Sequence, residues 1–141
     1  MKPGLAIGAK ARFSRKVAAN DTVPRLFDDA TVMAGMPDVL ATARMVGLME
    51  WACVEQIAPY YEAGECSLGI HVDVSHVAPT APGMLVTVDS EVTAIDGKFL
   101  WFKVTARDEA GLIGEGRHQR ALVDAAKFGA KAEAKRKEWV Q

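Results

Sequence analysis

The stretch from Asp38 to Ile57 constrains this chain most, because it is an unbroken run between Pro37 and Pro59 and is rich in Ala, Leu, Met and Glu. Those side chains lose little rotamer freedom in a helix, so the stretch predicts the main helix of the protein. Val39, Val46, Met49, Cys53 and Ile57 recur at spacings of three, four or seven, while Leu40, Met45, Leu48, Trp51, Ala52 and Val54 place apolar groups on the other faces. A helix that is apolar nearly all round must be buried on most sides. The rest of the chain supplies the cover. After Pro59 and Gly64 come four strand-like segments, about 67–77, 85–94, 99–107 and 112–123. They are parted by Pro79, Pro82 and Gly83, by the hairpin signal Asp96-Gly97, and by a turn at 108–111. A weak two-residue alternation over 11–18 adds a strand ahead of the helix, and 23–36, with Pro24, Asp28, Asp29 and Gly35, reads as an irregular loop that could lie over a site. Only a curved antiparallel sheet can wrap such a helix, so the expected class is α+β in the order β, α, β, β, β, β.

At 141 residues the chain is long enough to bury a core without disulfides or metals, and 1–141 is expected to form a single domain closed by a surface helix at about 126–139. Phe128 and Trp139 are the expected apolar contacts of that helix. The net charge of -1 gives no global attraction to nucleic acid or to an anionic membrane, so an anionic ligand needs a local cation. The basic stretch 127–137, interleaved with alanines and Glu133, reads as a solvated helix face. Cys53 and Cys66 lack the spacing of a metal site or a redox pair, which predicts reduced thiols. With no apolar leader at the N-terminus and no membrane-length apolar run, the expected location is the cytoplasm.

Three residues stand out chemically. Glu50 is a carboxylate inside an apolar helical run. It either reaches water at a helix edge or is partly desolvated, which would raise its pKa toward the range of a general base. In the segment 70–76, alternation puts Ile70, Val72, Val74 and His76 on the helix side and His71, Asp73 and Ser75 on the other. His76 is then a satisfied core histidine or, with Glu50 in reach, an acid-base partner. Thr42 precedes Glu50 by two helical turns, displaced about 80° round the axis, so it could face the same cavity or act as a cap. Cys53, in its apolar setting, should have a raised pKa and stay inert. Arg120 shares a strand face with His118 and Leu122, where it is either surface charge or a phosphate ligand. His71, His76 and His118 are not accompanied by an organised set of further ligands, so no metal is expected.

The run Met45-Val46-Gly47-Leu48-Met49-Glu50-Trp51-Ala52-Cys53-Val54, then Ala58-Pro59-Tyr60, Gly64-Glu65, Ser67-Leu68-Gly69 and the Val-Ser-His of 74–76, resembles the fluoroacetyl-coenzyme A thioesterase family of hot-dog proteins. The similarity continues through Val86-Thr87-Val88, Ile113-Gly114-Glu115-Gly116 and Arg120-Ala121 to Phe128. The resemblance implies a hot-dog fold, a curved sheet wrapped round one long helix, and hydrolysis of a short acyl-CoA. It implies Thr42, Glu50 and His76 as the catalytic group, the Gly69 backbone near the thioester, Arg120 on substrate or coenzyme, and no cofactor, CoA being part of the substrate. It also implies a homodimer with its active sites at the subunit interface. In the loop ahead of the helix the fluoroacetyl-specific enzyme has an aromatic gate, whereas this chain has Met33 and Met36 as its candidate acyl contacts. Methionine is apolar but flexible, so thioester hydrolysis carries over and strict fluoroacetyl specificity does not. The alternatives are an acyl-CoA hydratase or dehydratase on the same fold and a non-catalytic acyl-CoA-binding module.

Overall fold

A computed structural model describes residues 1–141. Strand β1 (Lys10–Lys16) leads through three short 3-10 turns, at 19–21, 23–25 and 33–35, to helix α1 (Thr42–Ile57). Strands β2 (Glu65–His76), β3 (Leu85–Asp96), β4 (Phe99–Asp108) and β5 (Gly111–Asp124) follow, and helix α2 (Ala125–Trp139) closes the chain. The five strands form one antiparallel sheet in the order β1-β3-β4-β5-β2, so β2, the strand carrying Gly69 and His76, lies at an edge. The α+β class and element order expected from the sequence are those observed. No helix is long and apolar enough to cross a membrane.

Alternation builds the core. Val86, Val88 and Val92 of β3, and Leu100, Phe102, Val104 and Ala106 of β4, point inward against Met45, Leu48, Met49, Ala52, Cys53 and Ile57 of α1. The β3–β4 hairpin closes through Gly97-Lys98, with Gly97 at φ 57°, a backbone angle that glycine adopts without a Cβ clash.

Four expectations need correction. Helix α1 begins at Thr42, four residues later than predicted, because Leu40 N–H bonds to Thr80 O and Ala41 N–H to Asp21 O, which holds that segment extended. Only one side of α1 is buried within this chain; Gly47 and Trp51 are exposed, and Val46, Glu50 and Val54 are half-buried. The strict alternation read along β2 breaks at a bulge between Gly69 and His71, which leaves Ile70 unpaired. Ser67 and Gly69 therefore share the inner face with Val72, Val74 and His76, and Ile70 does not. Phe128 and Trp139 do not join the core, being 45% and 76% exposed. Helix α2 starts on Asp124, whose side chain accepts from Lys127 N–H at 3.0 Å.

Candidate active site

Two clusters of polar side chains lie between α1 and the inner face of the sheet. The first joins the start of α1 to the end of β2, where Thr42 Oγ1 and His76 Nδ1 are 2.8 Å apart. Ala41 occupies the N-cap, so Thr42 does not cap the helix with its hydroxyl. The other ring nitrogen of His76 is buried without a partner. A buried polar atom of that kind costs about 1–3 kcal/mol and is the sort of group kept for chemistry. The pair borders a cleft of about 360 Å³ lined by Val23, Val39, Leu40, Val77 and Pro79. Met33 and Met36 do not line it. Their turn packs on the 23–25 turn that brings Val23 there, which leaves Met36 45% exposed. A larger hollow, about 680 Å³, lies on the far face of β1, β3 and β4 among Lys10, Arg12, Glu91, Lys103 and Arg107, away from both clusters.

The second cluster centres on Glu50. Its Oε1 accepts from Arg120 Nη1 at 3.3 Å and lies 4.0 Å from His118 Nε2. Gly69 forms the floor. A Cβ built there would collide with Glu50 Oε1, would come within 3.0 Å of His118 Cε1 and would touch Arg120 Nη1 at 3.5 Å, so only glycine admits the carboxylate. Arg120 is 5% exposed, which removes the surface-charge reading. Its Nε donates to Ser67 Oγ and its Nη2 to Ser67 O, both at 2.8 Å. Ser67 Oγ in turn meets the Tyr61 hydroxyl at 2.6 Å.

Burial holds the His118 imidazole below its usual pKa, and the Arg120 charge acts in the same direction, against a bond to the His71 carbonyl and the charge of Glu50. Burial also pushes the Cys53 thiol up to about 12, opposed by Arg120, which agrees with the inert thiol expected from the sequence. Alternation puts His118 beside Arg120 on one face, and its approach to Glu50 of α1 leaves no trace in that pattern because the partner comes from another element.

The sequence candidates are thus divided between two places. Thr42 and His76 meet, and Glu50, Gly69 and Arg120 meet. Eight residues of helix hold the two groups about 12 Å apart along α1.

The family pattern of fluoroacetyl-CoA-specific thioesterases matches residues 17–126, which include both clusters. The chain belongs to this thioesterase family. It is 43% identical to the fluoroacetyl-CoA thioesterase of Streptantibioticus cattleyicolor over 135 residues, 96% of this chain and 97% of that one. The solved structure of the fluoroacetyl-CoA thioesterase FlK superposes with a TM-score of 0.92 at 42% identity, covering 94% of this chain and 98% of the other. A thioesterase superfamily member from Thermus thermophilus superposes at 0.85 with 31% identity, covering 97% of each chain. FlK variants have been seen with acetyl-CoA and with fluoroacetate and CoA. The family's hot-dog fold is the arrangement described above, with α1 held in the sheet.

Proposed function

We propose that this thioester hydrolase cleaves a short acyl-CoA to the free acid and CoA, as a homodimer in which Glu50 of one copy works with the Thr42–His76 pair of the other. The separation of the two clusters along α1 carries this reading. Reacting groups must lie within about 3–3.5 Å of one carbonyl, and one chain holds these far apart.

The free edge supports it. On β2, Leu68, Ile70 and Val72 are 36%, 50% and 43% exposed, and the flank of α1 bearing Gly47 and Glu50 is open beside them. An uncovered apolar edge strand invites pairing. Two β2 edges joined antiparallel about the bulge would set the His76 end of one copy beside the Ser67–Gly69 end of the other, with both on the inner face.

The chemistry follows from the groups gathered there. Glu50, oriented by Arg120, either takes a proton from the water that adds to the thioester carbonyl, or adds there itself to give a mixed anhydride that water then hydrolyses to the free acid and Glu50. The Gly69 amide supports the oxyanion, and collapse of the tetrahedral adduct expels CoA thiolate, which takes up a proton relayed by His76 and Thr42. The turn bearing Met33 and Met36 backs the 23–25 turn that brings Val23 to the cleft, and its flexible side chains leave that wall compliant, so acetyl-CoA and fluoroacetyl-CoA should both be accepted. The test is release of free thiol from acetyl-, fluoroacetyl-, short branched and aromatic acyl-CoA. Hydrolysis of the short acyl members is expected; no thiol from any of them would overturn the proposal.

A further inference from the structure

We infer that His118 is a positioning residue for Glu50: its neutral imidazole, held in one tautomer between the His71 carbonyl and Arg120, fixes the guanidinium that presents the carboxylate above Gly69. The inference rests on the reading of Glu50 as the reacting group.

Two neighbours with one role each determine the tautomer. His118 Nδ1 lies 2.8 Å from His71 O, which only accepts, so Nδ1 carries the hydrogen. Nε2 lies 3.1 Å from Arg120 Nη1, which only donates, so Nε2 presents its lone pair. His118 is 1% exposed, and the Phe102 ring of β4 stacks over it at 6.5 Å, so water does not compete for either nitrogen.

The consequence falls on Arg120. Ser67 holds Nε and Nη2, and Nη1 is shared between His118 and Glu50. Without the imidazole acceptor, Nη1 is positioned by the carboxylate alone. The bond to His71 O also ties His118 to the bulge in β2 that follows Gly69, so one ring links the carboxylate's partner to the backbone expected to face the oxyanion. A second proton on His118 would aim an N–H at a guanidinium. The charged and titratable groups facing the ring are Arg120 on its own strand, Glu50 on α1 and His71 on β2. Because the folded pKa lies below the unfolded value of about 6.5, the stability this group contributes is present above that pH and is lost as pH falls through it toward the folded pKa.

The test compares His118→Leu with His118→Gln in the full-length protein, following thiol release against pH. Leucine, which offers no acceptor, should lower kcat about 10²-fold with KM little changed, as a displaced reacting group does. Glutamine, whose amide oxygen accepts from Arg120 and does not titrate, should recover most of kcat and hold it at acid pH where the wild type declines. Nitrogen-15 spectra of the wild-type ring read the tautomer with no turnover at all, and should show hydrogen on Nδ1 alone at neutral pH. A wild-type kcat in His118→Leu, or hydrogen on Nε2 at neutral pH, would overturn the inference. If His118→Leu fails to fold, the His118→Gln pH profile and the spectra decide it. Silence of the wild type toward every thioester would instead sink the hydrolase reading and leave the tautomer to the spectra.

Discussion

Replacing Glu50 with glutamine is expected to lower kcat by about 10²–10⁴-fold, the range supplied by a positioned acid-base group, while the protein stays folded. The fold should survive because the Glu50 side chain is 42% exposed and glutamine still offers an oxygen to Arg120 Nη1. Arg120 keeps its two bonds to Ser67 and its bond to His118. Glu50 is half-exposed but Arg120 is buried, so loss of the carboxylate charge is expected to cost about 1–3 kcal/mol, short of unfolding the protein. Measured together, kcat and the melting temperature separate a lost reacting group from a lost fold. A variant with near-normal kcat would remove Glu50 from the chemistry.

The largest expected loss of stability comes from Gly116→Ala, at a position with no ionisable group. Gly116 of β5 pairs with Val74 of β2 on one side and with Val104 of β4 on the other. A Cβ there would run into the Asp73 carbonyl oxygen, with Val74 Cα at 2.7 Å and Asp73 C at 2.9 Å. These are backbone atoms in a paired strand, so relief requires β2 to move away from β5. Overpacking of this kind costs about 3 kcal/mol, equivalent to a fall of about 10 °C in melting temperature for a domain of this size. The displaced strand also carries Gly69 and His76, so activity should fall with stability. Thermal unfolding of the variant, followed by circular dichroism, checks the figure; an unchanged melting temperature would mean that the ladder can absorb a methyl group there.

How far the sequence disclosed this arrangement depends on whether a feature is local. Periodicity located both helices and all five strands, since each pattern is contained in its own segment. It set the start of α1 too early because Asp38 to Ala41 has helical composition, and what holds it extended is the tie of Leu40 to Thr80 and of Ala41 to Asp21, across the fold. The bulge at Ile70 was hidden for a related reason, since 70–76 alternates perfectly and the extra residue shows only against β5. At the site, resemblance supplied Thr42, Glu50 and His76 as a set, but no spacing rule shows that Glu50 has Arg120 and His118 as neighbours or that Thr42 is bonded to His76 two turns away. Arg120 was legible as a strand residue beside His118 and illegible as a buried one. Its oxygen acceptors, Ser67 and Glu50, lie 53 and 70 residues away.

The shared site can be tested by mixing two inactive proteins. Glu50→Gln and His76→Ala are each expected to lose activity, and equal amounts unfolded and refolded together exchange their chains, with mixed dimers isolated through a tag on one variant. If Glu50 of one copy serves the Thr42–His76 pair of the other, each mixed dimer holds one whole site, and thiol release from the unfractionated mixture should return to about one quarter of the wild-type rate. Mixed dimers without recovered activity would contradict that arrangement and place the catalytic groups within one chain.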